Sequence, residues 1–158
     1  MHYFFTKEDL DVLNREISAV CDHIKDAGKE MGLSCQEGAE TFHDNFAYEQ
    51  GERDQNMWSN RLRQLIRIRN NAKVVAPGPS QGKVSMGRLV TIRDLSSGEG
   101  KTFRIGSYMI FDVEKEGSIR TLSYSAPMSK ALIGANEGEE REAFFGGKKH
   151  RFKVVKVE

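Results

Sequence analysis

The sequence predicts an α+β protein, in which a long antiparallel α-helical coiled-coil hairpin precedes a small antiparallel β domain with one short helix. Apolar residues in the N-terminal part recur at alternating steps of three and four, which is the spacing of a coiled-coil seam. After a Pro- and Gly-rich stretch they recur at steps of two, as in strands. We therefore expect a hairpin over residues 1–76, a linker over 77–82 and a β domain over 83–158.

The first helix has the clearest pattern. Thr6 followed by Asp9 resembles an N-terminal capping box with Asp in place of Glu. A narrow apolar stripe follows, which favours packing against one other helix over burial on a globular core. Gly32 is expected to end this helix. The stripe consists of Leu10, Leu13, Ile17, Val20, Ile24, Ala27 and Met31.

A second helix is expected from Asp44 to Ala72, joined to the first by a short loop around residues 34–43. Each arm of about 25 residues would span roughly 40 Å. The apolar seam of the second helix is thin near its start and strong near its end. Its expected members are Tyr48, Gly51, Gln55, Trp58, Leu62, Leu65 and Ile66, with Ile68 nearby.

The second half of the chain has the pattern of strands joined by turns. A short helix interrupts the strands over Pro127–Ile133, with Pro in its first turn and Gly134 at its C-cap. The Gly146-Gly147 pair predicts a closing hairpin. The expected strand segments contain Val84, Met86, Leu89–Ile92, Thr102–Ile105, Tyr108–Phe111, Ile119–Tyr124, Ala143–Phe145 and Arg151–Val157.

Composition excludes several classes of protein. The formal net charge of +1 gives no general reason to expect nucleic-acid or membrane binding. No apolar run is long enough for a membrane span, and the N-terminus lacks the pattern of a secretion signal. Cys21 and Cys35 have no zinc-site spacing, so we expect two free thiols in a reducing cytoplasm.

Charge is segregated along the hairpin although the total is nearly balanced. Residues 30–52 contain six acids and no Lys or Arg, and residues 53–73 contain six bases and one acid. Carboxylates gathered at the narrow end of the hairpin repel one another, which favours binding of a cationic partner there. Two carboxylates spaced three or four residues apart can also bind a hard divalent cation. The basic arm either meets a phosphate backbone or is simply a solvated face.

Four local segments of the chain resemble motifs of one known family. They are Asp44-Asn45-Phe46-Ala47-Tyr48, Asn71–Val75, Ser125–Gly134, and Phe145-Gly146-Gly147 followed by Arg151–Val157. The first resembles a tip motif, Glu-Asn-Ala-Glu-Tyr, and the second matches the end of a second helical arm. The third resembles Ser-Pro-Ile-Ala-Arg-Ala-Leu-Ile-Gly with one residue extra, and the last matches a closing Pro-Gly-Gly hairpin. These are motifs of the bacterial Gre transcript cleavage factors, GreA and GreB.

This resemblance implies an FKBP-like β domain and a factor that binds RNA polymerase and inserts its hairpin into the secondary channel. There it would stimulate the polymerase's own active site to cleave backtracked RNA. The chain would then not be an enzyme and would have no cofactor of its own, sharing Mg²⁺ with the polymerase. The implied partners are RNA polymerase and the 3′ end of nascent RNA, with DNA binding also implied; a cytoplasmic monomer without a membrane partner is expected.

The resemblance also assigns roles to individual residues. Asp44 and Glu40 are the expected catalytic and metal-binding carboxylates, supported by Asn45, Tyr48 and Glu37. The tip departs from the family, because Thr41 occupies the position of the first acid and Ala47 that of the second Glu of the motif. The expected RNA-phosphate contacts are Arg53, Arg61, Arg63 and Arg67. The expected polymerase-binding residues are Ser125, Pro127, Met128, Lys130, Leu132, Ile133 and Gly134.

Two alternatives stay open at the level of sequence. The altered tip favours a Gre-shaped regulator that occupies the channel without stimulating cleavage, or that inhibits the polymerase. The other alternative is a prolyl isomerase or chaperone whose β domain has an aromatic pocket, although such residues more often fill a small sheet core. The aromatic residues concerned are Phe103, Tyr108, Phe111, Phe144, Phe145 and Phe152.

Overall fold

The computed structural model describes residues 1–36, 46–78, 82–108 and 119–158. It confirms the α+β class, with a long N-terminal helical hairpin and a C-terminal β domain. The elements in chain order are β1 (Tyr3–Phe5), α1 (Lys7–Gln36), α2 (Phe46–Asn70), β2 (Ala72–Val74), β3 (Leu89–Asp94), β4 (Gly100–Gly106), β5 (Arg120–Ser123), α3 (Pro127–Leu132), β6 (Glu140–Phe145) and β7 (Lys148–Val157).

The chain forms two compact units. The helical unit comprises Val12–Asn71, and the sheet unit comprises Met1–Asp11 together with Ala72–Glu158. These are units of packing. The predicted division into residues 1–76, 77–82 and 83–158 stays a prediction.

The seam of α1 is confirmed. Leu13, Val20 and Ala27 are buried and stand seven residues apart, as one position of a heptad repeat requires. The alternate seam positions Ile17 and Ile24 are half-buried. A stripe this narrow buries one side of the helix and leaves the rest to water.

In α2 the seam follows the predicted positions except at Tyr48 and Ile66, whose side chains are exposed. Gly51 and Leu65 are buried and Trp58 is half-buried. The prediction for Ile66 is wrong, because its side chain is exposed and Ile68 is buried in its place. The heptad step of three from Leu65 leads to Ile68, whereas Ile66 lies about 100° around the helix.

The two helices run antiparallel. The rings of His23 and Trp58 stack with their centroids 4.3 Å apart and their planes 12° apart. A Cβ atom added at Gly51 would overlap Cγ of Met31. Later residues of α1 therefore meet earlier residues of α2, and we call the end of the hairpin that carries Met31 and Gly51 its distal end.

The ends of α1 agree with the prediction only at the start. Thr6 Oγ1 accepts a hydrogen bond of 3.2 Å from the backbone N–H of Asp9, which confirms the predicted cap. The prediction that Gly32 ends the helix is wrong, because α1 continues to Gln36. A glycine costs a helix only about 1 kcal/mol, which the continued backbone hydrogen bonds can offset.

Five strands form the main sheet in the order β5-β4-β3-β7-β6. The β3–β4, β3–β7 and β6–β7 pairs are antiparallel and the β4–β5 pair is parallel, so the sheet is mostly antiparallel, as predicted, with one parallel pair. The connection between β4 and β5, residues 107–119, has the length that a parallel crossover needs.

A two-stranded parallel sheet of β1 and β2 was not predicted. Tyr3, Phe4 and Phe5 pair with Ala72, Lys73 and Val74. The pairing joins residues about seventy positions apart in the chain, and strands of three residues are too short to show an alternating pattern.

The core of the sheet unit is made mainly by alternate residues of the predicted strands. Val84 is buried in this core although neither it nor Met86 belongs to a named strand. Gly146 and Gly147 have positive φ angles of 61° and 73°, as the predicted two-residue hairpin turn requires. An FKBP-like relationship stays a prediction. The core consists of Val84, Val90, Ile92, Phe103, Ile105, Leu132, Ala135, Ala143, Phe152, Val154 and Val157.

Candidate functional site

The predicted tip residues Glu37, Glu40, Asp44 and Asn45 lie outside the described residues, as do Thr41 and His43. Tyr48, the remaining member of the predicted tip, belongs to the first turn of α2 and is partly exposed. The assignment of a metal-binding pair to Glu40 and Asp44 therefore stays a prediction.

The described residues beside the tip carry negative charge. Residues 30–36 and 46–52 contain Glu30, Glu49 and Glu52 and no Lys or Arg. Arg53 Nη2 lies 3.2 Å from Glu49 Oε2, one helical turn away, and partly neutralises that carboxylate. The ends of both helices that border the connection are thus anionic in their described parts.

The predicted phosphate-contacting arginines all lie on α2, and their exposure differs. Arg63 and Arg67 are exposed and stand four residues apart, which places them on one side of the helix. Arg61 is half-buried and donates from Nη1 to Gln64 Oε1 at 3.2 Å. Arg67 also lies in the last turn of α2, where a cation stabilises the helix dipole. Exposed Arg63 and Arg67 are the pair best placed to meet a polyanion.

The predicted polymerase-binding segment consists of α3 and the residues on each side of it. Pro127 and Lys130 are exposed three residues apart on one side of the helix, and Ile133, the residue that follows its last turn, is exposed as well. Met128 is partly buried against the sheet core, and Leu132 is fully buried within it. A partner on this surface would therefore touch Pro127, Lys130 and Ile133, while Leu132 holds the helix to the sheet.

Hydrogen bonds fix the backbone on both sides of α3. The hydroxyl of Ser123 donates to the backbone oxygen of Tyr108 at 3.1 Å and lies 2.8 Å from the hydroxyl of Ser125. After the helix, Gly134 has a φ of 86° and donates its N–H to Val84 O at 2.9 Å. Because both ends are tied to the sheet unit, the exposed side of α3 is presented by a fixed backbone.

One hydroxyl under α3 has no hydrogen-bond partner within the described residues. Ser129 is fully buried, and its Oγ contacts neither a donor nor an acceptor among them. Leaving a buried polar group without a partner costs about 1–3 kcal/mol. The sequence contains no signal for this, since the motif shows only a serine on a short helix.

A polar cluster at the start of α1 was missed by sequence reasoning. Asp9 Oδ2 accepts hydrogen bonds from the hydroxyl and the N–H of Ser107, at 2.6 Å and 3.2 Å. Asp9 Oδ1 accepts one of 2.9 Å from Arg104 Nη2. Ser107 Oγ in turn accepts the N–H of Thr6 at 2.9 Å. We name Thr6, Asp9, Arg104 and Ser107 the Asp9 cluster; it fixes the first turn of α1 to the end of β4.

The electrostatics of the Asp9 cluster favour the carboxylate. Burial of Asp9 raises the pKa of its carboxyl group, but the hydrogen bond from Ser107 and the hydrogen bond and charge of Arg104 outweigh this effect. The pKa of Asp9 is therefore below its ordinary value. Arg104 and Ser107 lie more than ninety residues away from Asp9 in the chain, so neither periodicity nor local motifs could have shown these two partners.

The aromatic residues considered for a pocket are divided between the core and the surface. Phe103 and Phe152 belong to the buried core, whereas Phe144 is exposed. Phe145 stacks on His150, with the ring centroids 4.0 Å apart. Phe111 lies outside the described residues. This distribution favours the interpretation that these side chains mainly stabilise the sheet unit.

Two searches of the described residues bear on metals and membranes. Within residues 1–36, 46–78, 82–108 and 119–158, no three His, Cys, Asp or Glu side chains are grouped so that they could hold a metal ion. In the same parts of the chain, every helix is too short or too polar to cross a bilayer.

Comparison with known proteins identifies relatives along most of the chain. It is 28% identical over 152 residues to transcription elongation factor GreA of Thermotoga neapolitana, which covers 96% of this chain and 89% of that protein. It is 30% identical over 136 residues to GreA of Mesomycoplasma hyopneumoniae, covering 86% of this chain and 77% of that protein.

Among solved structures, GreA factor homolog 1 (Gfh1) of Thermus thermophilus matches 100% of this chain and 99% of its own, at 21% identity and a TM-score of 0.44. No conclusion rests on that superposition. A sequence model of the family described as transcription elongation factor, GreA/GreB, C-terminal, matches residues 79–158. With half of the chain matched in this way and a relative at 30% identity, the chain belongs to the GreA/GreB family of transcription elongation factors.

Proposed function

We propose that this protein binds RNA polymerase, inserts its helical hairpin into the secondary channel and stimulates cleavage of backtracked nascent RNA. The observation that carries the proposal is an antiparallel helical hairpin with anionic described ends, in a chain of the GreA/GreB family. Relatives along most of the chain are named transcription elongation factor GreA. The protein would act as a monomer in the cytoplasm, where the polymerase is.

In this proposal the polymerase performs the chemistry and the protein supplies ligands. Asp44 and Glu40 would donate carboxylate oxygens to an active-site Mg²⁺, which prefers such hard donors and readily shares them with phosphate and water. Asn45, Tyr48 and Glu37 would support that pair. Since the protein itself breaks no bond, it is not an enzyme.

The basic side of α2 would contact the phosphates of the RNA near its 3′ end. Exposed Arg63 and Arg67 are the principal candidates. Arg53 lies about 15 Å from Arg63 along α2, and Arg61 lies about 160° around the helix from Arg63, so these two are secondary candidates. Arginine suits this role because its guanidinium group can donate two parallel hydrogen bonds to one phosphate. A contact with DNA is left out of the proposal, since no described surface argues for it.

The sheet unit would supply the docking surface. The exposed side of α3, with Pro127, Lys130 and Ile133, offers an apolar contact with one cation beside it. Its backbone is already fixed by hydrogen bonds, so little conformational entropy would be lost when it binds.

A second candidate function is a channel-binding regulator that does not stimulate cleavage, or that inhibits the polymerase. Thr41 favours it, because a neutral hydroxyl occupies the position where the Gre motif has an acid, and Ala47 replaces a further Glu. Loss of a charged ligand weakens metal retention. In this case the hairpin would still enter the channel and compete with other molecules that use it.

A transcript-cleavage assay on stalled, backtracked complexes separates the two candidates. With the wild-type protein we expect faster shortening of the RNA 3′ end than with polymerase alone. Asp44→Ala should abolish the stimulation while leaving the affinity for polymerase nearly unchanged, because it removes a metal ligand and no docking residue. Asp22→Ala, on the exposed surface of α1, is the matched control and should cleave like the wild type.

Two outcomes of this assay contradict the proposal in different ways. If the wild-type protein binds polymerase and does not speed the shortening of the RNA, the second candidate function, a regulator that does not stimulate cleavage, is correct and the first is wrong. If Asp44→Ala cleaves as fast as the wild type, the metal assignment is wrong.

The docking assignment has its own test. Replacing Met128 or Pro127 should weaken binding to polymerase. Cleavage should fall only because fewer polymerase molecules have the variant bound, so a saturating concentration of the variant should restore the cleavage rate. Pro127→Ala tests the exposed surface directly, since its side chain is not in the core. Leu95→Ala, which removes a partly exposed apolar side chain from the turn after β3, is the control. Unchanged affinity of Pro127→Ala and Met128→Ala would contradict the assignment.

A further inference from the structure

Two large apolar side chains near the distal end of the helical unit face solvent. Phe46, the first residue of α2, is 70% exposed, and Leu33, near the end of α1, is 58% exposed. We name them the distal apolar pair. Phe46 lies about 140° around α2 from buried Gly51, and Leu33 about 120° around α1 from buried Ala27. Both therefore point away from the seam and contribute little to folding.

The pair occupies one level of the hairpin. Met31 and Gly51 are adjacent across the seam. Leu33 lies two residues beyond Met31 and Phe46 five residues before Gly51, which is about 3 Å and about 7.5 Å further towards the distal end. Less than one helical turn separates their heights, so the two side chains lie at the same level of the hairpin.

Charge around the pair indicates the chemistry of that partner. Glu30 and Glu52 have no ion-pair partner among the described residues, whereas the nearest cations, Lys29 and Arg53, are paired with Asp26 and Glu49. Anionic surroundings repel the phosphates of RNA and attract Lys and Arg side chains. An exposed aromatic face also attracts a guanidinium or ammonium group. The complementary surface is thus a protein surface with cations beside an apolar contact.

The sequence makes Phe46 a feature of this chain rather than of the tip motif that it resembles. The motif reads Glu-Asn-Ala-Glu-Tyr, and the position of Phe46 is held there by Ala. Phe favours a helix less than Ala does, so helix stability does not account for Phe46, and it is the pairing of Phe46 with exposed Leu33 that indicates an interaction site.

We infer that the distal apolar pair docks on a cationic, partly apolar wall of the RNA polymerase channel, with Phe46 as the anchoring side chain. This inference rests on the proposed function. It adds a binding contact that is separate from the carboxylates of the tip and from the α3 surface, and it would hold the distal end of the hairpin against protein rather than against nucleic acid.

The test measures the affinity of the full-length protein for core RNA polymerase without nucleic acid and for a backtracked complex. Phe46→Ala should weaken binding about tenfold in both cases, as loss of an anchoring aromatic side chain does at an interface. Met57→Ala is the matched control: Met57 is 54% exposed and lies on the same side of α2, about 16 Å nearer the base. It should change the affinity less than about twofold.

Salt dependence tests the charge of the wall. Glu52→Gln should make binding less sensitive to added KCl, because it removes one carboxylate that attracts the cationic surface. An unchanged salt dependence would contradict a cationic wall. Circular dichroism should show wild-type helix content for each variant, since all the replaced side chains are exposed.

The outcomes distinguish this inference from the proposed function. If the wild type binds polymerase and Phe46→Ala binds equally well, or if Met57→Ala loses as much, the inference is wrong and the proposed function stands. If Phe46→Ala loses affinity only for the backtracked complex, Phe46 contacts the RNA, and the inferred contact with a protein wall is wrong. If the wild type does not bind polymerase at all, the proposed function fails and the inference fails with it.

Discussion

The two compact units of this protein bury very different side chains. The sheet unit has a core of large, nearly inaccessible residues such as Ile92, Ile105 and Phe152. The helical unit buries a single seam, which contains Leu13 and Leu65 towards one end and only Ala27 and Gly51 towards the other. The comparison teaches that stability is concentrated in the sheet unit and at the base of the hairpin. The distal hairpin instead carries exposed apolar and acidic residues that suit a partner.

The largest effect is expected in the sheet core. Phe152→Ala removes a ring that is only 2% exposed, and it should lower the free energy of unfolding by about 3–5 kcal/mol. Val155→Ala on the same strand removes an exposed side chain and should change it by less than about 0.5 kcal/mol. Urea denaturation followed by far-UV circular dichroism measures both. Similar losses for the two variants would contradict the assignment of the core.

An intermediate effect is expected in the Asp9 cluster, which ties the first turn of α1 to the sheet. Asp9→Asn removes charge-assisted hydrogen bonds to Ser107 and Arg104 and should cost about 2 kcal/mol at pH 7. Asp11→Asn, exposed in the same turn, is the control and should be nearly neutral.

The sign of the pH dependence follows from the pKa of Asp9. That pKa is lower in the folded protein than in the unfolded chain, so the carboxylate contributes stability above the unfolded value of about 3.9. This contribution is lost as the pH falls through the folded value. The difference between wild type and Asp9→Asn, measured by denaturation, should therefore shrink below about pH 4. A difference that stays constant or grows towards acid would contradict the cluster.

The smallest effect is expected at the distal seam, where the helices approach most closely. Gly51→Ala should gain about 1 kcal/mol from helix propensity and lose much of it through overlap with the Met31 side chain. In a Met31→Ala background the overlap is absent, so the gain should appear. Fluorescence of Trp58, the single tryptophan and a seam residue, reports unfolding of the helical unit. Equal effects of Gly51→Ala in both backgrounds would contradict the close approach.

The sequence predicted those parts of the fold that repeat. Leu13, Val20 and Ala27 follow a regular heptad, and the alternating pattern predicted the strands β3 and β4, in which Ile92 and Ile105 prove to be buried. The choice between Ile66 and Ile68 failed because both are apolar and only the direction of the partner helix decides between them.

Features that depend on distant partners were not predictable in the same way. The parallel pairing of β4 with β5 depends on the route of a long connection. The hydrogen-bond partners of Asp9 at the end of β4, Arg104 and Ser107, lie more than ninety residues away in the chain. In the candidate docking segment, the resemblance assigned the same role, binding to polymerase, to Leu132 and to Pro127. Only the packing shows that Leu132 is core and that Pro127 is surface.

The central claim is that the α3 surface contributes to binding to RNA polymerase, whereas the carboxylates of the tip contribute to the activity and not to the affinity. Affinity and RNA cleavage measured side by side for Asp44→Ala and Pro127→Ala test it most directly. The account predicts that Asp44→Ala binds like the wild type without stimulating cleavage, and that Pro127→Ala binds weakly but cleaves at the wild-type rate when it saturates the polymerase. Loss of binding in Asp44→Ala, or a cleavage defect in saturating Pro127→Ala, would contradict the claim.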